Sequence, residues 1–428
     1  MKFQVKALVL GSVLAAAAIA LSGCATSSSS SLSGVTIKYL VPSSWANAGA
    51  FKVNIAAYEK KYKNTIDVQA VPDANYDSVV QARLAGGSGI DLFAGQDHVA
   101  NLSKIALQIS NAPFEKRMTA VNYDAMKAAD GKVYGYPTAD GLATNGIFYN
   151  KDDFAKAGIT APPTSLGDLT ADMAKVKAAG ITPLYFAGKD GWTLLQHRNA
   201  LNPLMALKTP DAYTQLNTNK LTWSKSPFFT EQYDVLTGWV KSGYINTGAL
   251  TSTYEQSVKA IIDGSASMLF QGSWVISDIR AVSKTAKIGF FPLPTASGHE
   301  RIQLSRVNII HIATKSKVAE QAKVFLDFMI QKPQAEAFLA KAPGIPAFTD
   351  VTVPSPADPV LIDIEKYTSN GKVGPGFDDV SSLAAPTQDA IIAEYQELIA
   401  GRQTTAQFGT ALDSIWQDAG KTAGTPGF

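Results

Sequence analysis

Cysteine is almost absent from this chain, which has a single one, Cys24, among its 428 residues. No disulfide can therefore form within the chain, and the fold must depend on its hydrophobic core. Only 17% of the residues are charged, and beyond Lys2 and Lys6 the acidic and basic side chains balance. That balance gives no support for a nucleic-acid partner. Histidine is also scarce, and the four residues lack the spacing of a zinc site: His98, His197, His299 and His311.

Motifs of the common enzyme classes are also missing. The run Gly420-Lys421-Thr422 resembles the end of a P-loop, but the glycine required five residues earlier is replaced by Ile415. No Gly-x-Ser-x-Gly elbow occurs, and the spacing of the carboxylates gives no sign of a catalytic pair. The sequence therefore predicts a protein without catalytic activity, and neither a cofactor nor a metal is expected.

The N-terminal segment carries the strongest local signal. Lys2 and Lys6 form a basic N-terminal region, and residues 5–21 are otherwise almost wholly apolar or small, which is the layout of a secretory signal. The run that ends at Cys24, Leu-Ser-Gly-Cys, resembles a bacterial lipobox; the alternative is an ordinary signal peptide with a cysteine nearby by chance. We predict a signal peptide over 1–23 and a lipidated, serine-rich tether over 24–34. The mature protein is then expected on the extracellular face of the cytoplasmic membrane, anchored by lipid on Cys24.

The rest of the chain alternates between strand and helix patterns. Strands are predicted at 35–39, 67–71 and 90–93, with helices at 51–62 and 76–84 between them. This order implies a parallel sheet covered by helices, and hence an α/β fold. A second set begins near 147–149, with a helix that Thr164 is expected to cap and further strands at 181–186 and 267–270. Fifteen Tyr and six Trp are compatible with a neutral, hydroxyl-rich ligand.

Several runs resemble the extracellular solute-binding proteins of ABC importers, in the sugar-binding family that includes maltose-binding protein. They occur in the order that this family uses: DGKVYGYP at 130–137, YNKD at 149–152, FAKAGI at 154–159, GITP at 180–183, GSW at 272–274 and GIPA at 344–347. The resemblance implies a type II periplasmic-binding-protein fold, with two discontinuous α/β lobes, a hinge and a ligand cleft between the lobes. By the positions of these runs, lobe 1 is expected at about 35–142 plus 303–345, and lobe 2 at about 143–302 plus 346–428.

The resemblance also implies a function. A monomeric binding protein would capture a mono- or oligosaccharide and close around it, and the closed form would deliver the sugar to a membrane permease served by a separate ATPase. Another polar solute (a polyol, an amino sugar or a glycerophosphodiester) remains an alternative, as does a secreted carbohydrate-active enzyme or adhesin.

Candidate ligand contacts follow from strand ends and from the family runs. Trp45 follows the first strand and is expected to stack on a sugar; a buried structural role is the alternative. For Asp97, helix capping is the alternative to ligand binding. Trp274 is the leading candidate, because the family commonly places an aromatic residue beneath the sugar there. The other three tryptophans, Trp223, Trp239 and Trp416, are assigned to the core. The predicted ligand-binding residues are Trp45, Gln96, Asp97, Asp140, Asn145, Trp192, Trp274, Arg306 and Phe377.

Overall fold

A computed structural model describes most of the chain beyond the N-terminal segment. The described residues are 33–47, 50–87, 89–95, 102–128, 130–141, 143–299, 301–305, 308–353, 355–369, 372–374, 376, 381 and 383–428. The predicted signal peptide, Cys24 and most of the serine tether therefore lie outside the described residues. Within the described part, none of the helices combines the length and the apolar character that crossing a bilayer requires.

Strands and helices alternate along the chain, as the α/β prediction requires. The strands are β1 Thr36–Pro42, β2 Thr65–Val71, β3 Leu92–Ala94, β4 Gly135–Pro137, β5 Ala143–Asn150, β6 Thr182–Tyr185, β7 Ala266–Gly272, β8 Ile288–Phe291, β9 Ile302–Ser305, β10 Ile309–Ile312 and β11 Val373–Gly374. The helices up to the middle of the chain are α1 Ser43–Asn47, α2 Ala50–Tyr62, α3 Tyr76–Gly86, α4 Leu102–Ile105, α5 Ala120–Ala125, α6 Lys151–Lys156, α7 Leu166–Ala178, α8 Leu195–Lys208 and α9 Ala212–Asn217. Those that follow are α10 Pro227–Lys241, α11 Tyr254–Asp263, α12 Val275–Val282, α13 Ala319–Met329, α14 Lys332–Leu339, α15 Pro359–Thr368, α16 Ala384–Ile399 and α17 Thr405–Ala423.

The strands form two separate sheets. The first has the order β2-β1-β3-β10-β4, and its β1 lies parallel to both β2 and β3. This confirms the parallel arrangement predicted from the first strands and helices. The second has the order β11-β9-β5-β7-β6, with β8 paired to β5. Strand β10 enters the first sheet antiparallel, so residues from beyond position 308 complete a sheet that the N-terminal part begins.

Each sheet has its own buried core. Residues such as Ile37, Tyr58 and Phe325 pack beside the first sheet, whereas Ile147 and Leu236 belong to the core of the second. The three tryptophans assigned to the core from the sequence, Trp223, Trp239 and Trp416, are all buried beside the second sheet.

The chain passes between the two sheets more than once. It leaves the first sheet after Pro137 and enters the second at Ala143, and it returns between Ser305 and Ile309. Residues 303–305 pair with β5 in the second sheet, a few positions beyond the start of the predicted return segment. Phe348 and Val351 pack in the first core, a few positions beyond its predicted end.

Helix ends follow local capping chemistry. The side chain of Asn150 accepts from the backbone N–H groups of Asp152 and Asp153, which starts α6 at the end of β5. The predicted cap at Thr164 is wrong by one residue. Ser165 caps α7: its Oγ accepts from the backbone N–H of Asp168 at 3.1 Å, and the Asp168 carboxylate accepts from the Ser165 N–H in return.

Candidate ligand-binding site

A cavity of about 300 Å³ lies between the two sheets. One side is formed at the carboxyl ends of parallel strands, by Pro42 at the end of β1 and by Ala94 and Gly95 at the end of β3. The other side is formed by residues that follow strands of the second sheet, among them Trp192 after β6 and Trp274 after β7. Crevices at the carboxyl ends of strands are the usual place for ligands in α/β folds, so the topology marks this cavity as the candidate site.

Aromatic rings form one wall of the cavity. The ring centroid of Trp192 lies 5.0 Å from that of Tyr254 and 6.2 Å from that of Trp274, and all three side chains line the cavity from the second sheet. Trp45, on α1, lines it from the first sheet. Such faces pack well against the apolar C–H surface of a ring-shaped ligand.

The position of the Trp274 indole depends on a glycine. A Cβ built on Gly272 would lie 2.1 Å from the indole ring, so the ring rests directly against the backbone at the end of β7. No side chain larger than hydrogen fits at position 272 unless the indole moves. The Gly-Ser-Trp run therefore places an aromatic face at the cavity and keeps it there.

Carboxylates face the same space. Asp73 accepts from the backbone N–H of Ser44 at 3.1 Å, and burial raises its pKa. Asp140 lies in the segment that joins the two sheets; its Oδ1 atom is buried without a hydrogen-bond partner, and burial raises its pKa as well. An acceptor of this kind is positioned to receive a hydroxyl or amino donor from a ligand.

Asp278, on α12, is the most perturbed of these carboxylates. Its pKa is raised to about 7, chiefly by burial; the hydrogen bond from Tyr254 opposes the shift, and the negative charges of Asp73, Glu255 and Asp140 add to it. The Tyr254 hydroxyl donates to Oδ2 of Asp278 at 2.5 Å, which ties an aromatic wall residue to this carboxylate. The site thus combines aromatic faces with strong acceptors.

A buried layer of amides supports the aromatic wall. Gln196 lines the cavity, and its Nε2 donates to the backbone oxygen of Trp192 at 2.9 Å. Its Oε1 accepts from Nδ2 of Asn145 at 2.6 Å. Asn145 itself is buried on β5 and does not line the cavity, and its hydrogen bond to Gln196 connects it to the site.

The structure gathers part of the predicted site. It brings Trp45, Asp140, Trp192 and Trp274 to one cavity. The predicted residues outside the described part of the chain are Gln96, Asp97, Arg306 and Phe377.

Sequence reasoning missed Asp73, Tyr254 and Asp278. Tyr254 and Asp278 belong to helices, where nothing in the local pattern separates a side chain that lines a cleft from one on a solvated face. Asp73 is the second residue after β2, and this position just beyond a strand end could have identified it as a candidate ligand contact. No group of three or more potential metal ligands occurs among the described residues.

Comparison with known proteins places the chain in a family. The model for bacterial extracellular solute-binding proteins matches residues 43–336. The chain belongs to this family. A melibiose/raffinose/stachyose-binding protein, MelE of Bacillus subtilis, is 25% identical over 84% of this chain and 84% of its own length.

Solved structures agree with the fold of this solute-binding protein. A chitin oligosaccharide binding protein superposes with a TM-score of 0.76 at 22% identity, covering 91% of this chain and 99% of its own. A sugar transporter protein of Bacillus licheniformis in complex with stachyose gives a TM-score of 0.73 at 20% identity, covering 90% and 100%. The type II periplasmic-binding-protein fold predicted from the sequence runs is thereby confirmed.

Proposed function

We propose that this protein captures a carbohydrate in the cavity between its two sheets and delivers it to the permease of an ABC importer. The observation that best supports this proposal is that an aromatic wall and several carboxylates surround one cavity. Aromatic rings pack on the C–H faces of a pyranose, and each carboxylate accepts hydrogen bonds from two hydroxyls. A phosphate or carboxylate ligand fits less well, because Asp73, Asp140 and Asp278 all face the space that it would occupy.

The printed names of the similar proteins point in the same direction. MelE is a binding protein for melibiose, raffinose and stachyose, and one of the similar structures holds stachyose. Melibiose, raffinose and stachyose are therefore the first ligands to test, with chitin oligosaccharides second.

Two lobes follow from the two sheets. In this proposal the first lobe comprises about 35–142 and a return segment from near 306 to near 351. The second lobe comprises about 143–305 and the residues from near 352 to 428. Segments that cross between the sheets touch each other: the backbone N–H of Thr138 donates to the oxygen of Asn308 at 3.0 Å, and that of Ala347 to the oxygen of Ala139 at 3.1 Å. A ligand that contacts both lobes stabilises the closed state and shifts the equilibrium toward it.

Export and lipid anchoring complete the proposal. The mature protein begins at Cys24, carries lipid on its thiol and lies on the extracellular face of the cytoplasmic membrane as a monomer. Mass spectrometry of the membrane fraction tests this assignment, because lipid on Cys24 adds a fixed mass that a Cys24→Ala variant lacks. An unmodified N-terminus in a membrane-free protein would contradict the anchor and leave the sugar proposal untouched.

The central experiment is a sugar titration. Trp192 and Trp274 line the cavity, so a bound sugar should change tryptophan fluorescence. We expect saturable binding of at least one sugar among melibiose, raffinose, stachyose, maltose and chitin oligosaccharides, and a weaker response in Trp274→Ala. Trp45→Ala tests the opposite wall. If none of the sugars changed the tryptophan fluorescence of the wild-type protein, carbohydrate capture would be refuted and another polar solute favoured.

Hydrolysis of the sugar is the competing function. A carboxyl group with a pKa near 7 beside further carboxylates is the kind of arrangement that a glycosidase uses. We propose binding without catalysis, because the family to which the chain belongs consists of solute-binding proteins. Chromatography of each bound sugar after prolonged incubation distinguishes the two functions. Intact sugar is expected, and release of smaller products that stops in Asp278→Asn would establish an enzyme.

A further inference from the structure

A second, larger cavity of about 660 Å³ shares no lining residue with the ligand cavity. We call it the basic groove and define it by its charged lining residues, which are five cations and a single carboxylate: Lys151, Arg280, Lys284, Lys287, Lys341 and Asp358. One wall comes from α12 and the start of β8, which pack in the second sheet's cores. The other includes Ala340, Lys341 and Pro343, which follow α14, a helix that packs beside the first sheet.

Three of the five cations already have acidic partners. Nζ of Lys151 lies 3.0 Å from Oδ2 of Asp363, and Nζ of Lys287 lies 3.0 Å from Oδ1 of Asp152. Arg280 forms a bidentate ion pair with Asp358: its Nε lies 2.5 Å from Oδ2, and its Nη2 lies 3.2 Å from Oδ1. These pairs fix the shape of the groove wall and offset their own charges.

The remaining two cations give the groove its net charge. Lys284 and Lys341 are exposed and form no ion pair with any described residue. They lie on opposite walls, Lys284 just after α12 and Lys341 just after α14. A groove with an uncompensated cation on each wall attracts an anionic occupant that enters between the walls.

Apolar side chains line the groove beside this charge. They include Ile288, Pro343, Pro356 and Pro359. Apolar contact area beside unpaired cations suits a peptide segment better than an inorganic anion, which gains nothing from apolar surface. The concave shape between two walls also suits a segment better than a flat bilayer surface.

We propose that the basic groove is a docking site for an acidic segment of a partner protein. Acidic side chains of that segment pair with Lys284 and Lys341, and its apolar side chains pack on Pro343, Pro356 and Pro359. Exposed pairs of this kind contribute mainly to selection and association rate, and the binding is weakened by salt. The site differs from the sugar cavity in both chemistry and place.

The test uses the full chain and a fluorescent synthetic peptide rich in Asp and Glu with two leucines, followed by anisotropy at low salt. A matched peptide carrying Asn and Gln instead is the charge control. We expect the acidic peptide to bind, and the double variant Lys284→Glu with Lys341→Glu to lose about tenfold in affinity. The variant Lys220→Glu with Lys225→Glu makes the same change in net charge at exposed lysines outside the groove, and should bind as the wild type does.

Several outcomes would overturn the proposal. These are equal losses in the two double variants, equal binding of the charged and amide peptides, or no binding of the acidic peptide by the wild-type protein. Displacement of the peptide by inorganic phosphate at matched ionic strength would make the groove a small-anion pocket. Binding to phosphatidylglycerol vesicles that is lost in the groove variant, with no peptide binding, would make it a membrane contact. Circular dichroism of both variants verifies that they are folded.

Discussion

At the scale of single residues, the aromatic wall depends on one missing side chain. Gly272 lies under the Trp274 indole with no room for a Cβ, so we predict that Gly272→Ala displaces the ring and weakens sugar binding at least about tenfold. Trp274→Ala should weaken binding to a similar extent, because both changes remove the same stacking surface. Fluorescence or calorimetric titration with the sugar found in the panel measures the loss.

Gly238→Ala is the matched control for this change. Gly238 is in α10 with open space around the position of a Cβ, so alanine there should leave sugar affinity unchanged. It should also stabilise the helix by about 0.5–1 kcal/mol, since glycine is the poorer helix former. If Gly272→Ala binds sugar as tightly as the control, the indole does not contact the ligand.

Asp278 predicts a dependence of stability on pH. Its pKa in the folded protein is about 7, above the value near 3.9 of an exposed aspartate, so the folded state holds a proton that the unfolded state releases earlier. This contribution to stability is complete below about pH 4 and is lost as pH rises through about 7. Asp278→Asn carries no such proton, so its unfolding free energy relative to the wild type should rise by about 2–3 kcal/mol between about pH 5 and pH 8. Urea unfolding at several pH values measures this difference, and a constant difference would contradict the prediction.

The residues found and missed at the site differ in the kind of signal that they carry. Trp192 and Trp274 stand in short glycine-containing runs after strands, and both line the cavity. Tyr254 and Asp278 lie on helices α11 and α12, and their approach to each other depends on how those helices pack. The hydrophobic periodicity of a sequence predicts which residues share one face of a helix. It does not predict which other element of the fold that face contacts.

At the scale of elements, the start of α7 shows how a cap is chosen. Thr164 and Ser165 are adjacent and chemically similar, yet only Ser165 accepts from the N–H of Asp168 and completes a capping box. The Thr164 hydroxyl instead donates to the Asp168 side chain at 3.0 Å on the exposed surface. Sequence predicts a cap at this place within one residue, because both side chains can accept and only the backbone geometry separates them.

Paired alanine substitutions test this assignment. We expect Ser165→Ala to lower the unfolding free energy by about 1 kcal/mol, since it leaves helix N–H groups without an acceptor. Thr164→Ala should cost only a few tenths of a kcal/mol, because it removes one exposed hydrogen bond. Urea denaturation of the two variants measures both values, and a reversed order would mean that Thr164 provides the cap.

At the scale of the whole molecule, local residue patterns predict the order of elements along the chain but not the exchange between sheets. The parallel arrangement of β1, β2 and β3 follows from alternating patterns of residues close in sequence. That β10 completes the first sheet, antiparallel to β3 and β4, depends on contacts between residues far apart in the chain. The family runs predicted the return to the first sheet near 303, and pairing with β5 holds residues up to Ser305 in the second sheet.

A ligand held between two sheets should protect both of them. We predict that a saturating sugar slows amide hydrogen exchange in α1, beside the first sheet, and in α11 and α12, beside the second, because the cavity is lined from all three. At a sugar concentration of about one hundred times Kd, binding stabilises the folded protein by about 2.7 kcal/mol. Mass spectrometry of peptides from each region measures the exchange, with Trp274→Ala at the same sugar concentration as the control. With an affinity about tenfold lower, that variant is stabilised by only about 1.4 kcal/mol at this concentration, so its protection should be weaker than that of the wild type in both regions. Protection confined to α11 and α12 would mean that the sugar contacts only the wall beside the second sheet. The proposal that the ligand closes the two lobes around itself would then be wrong.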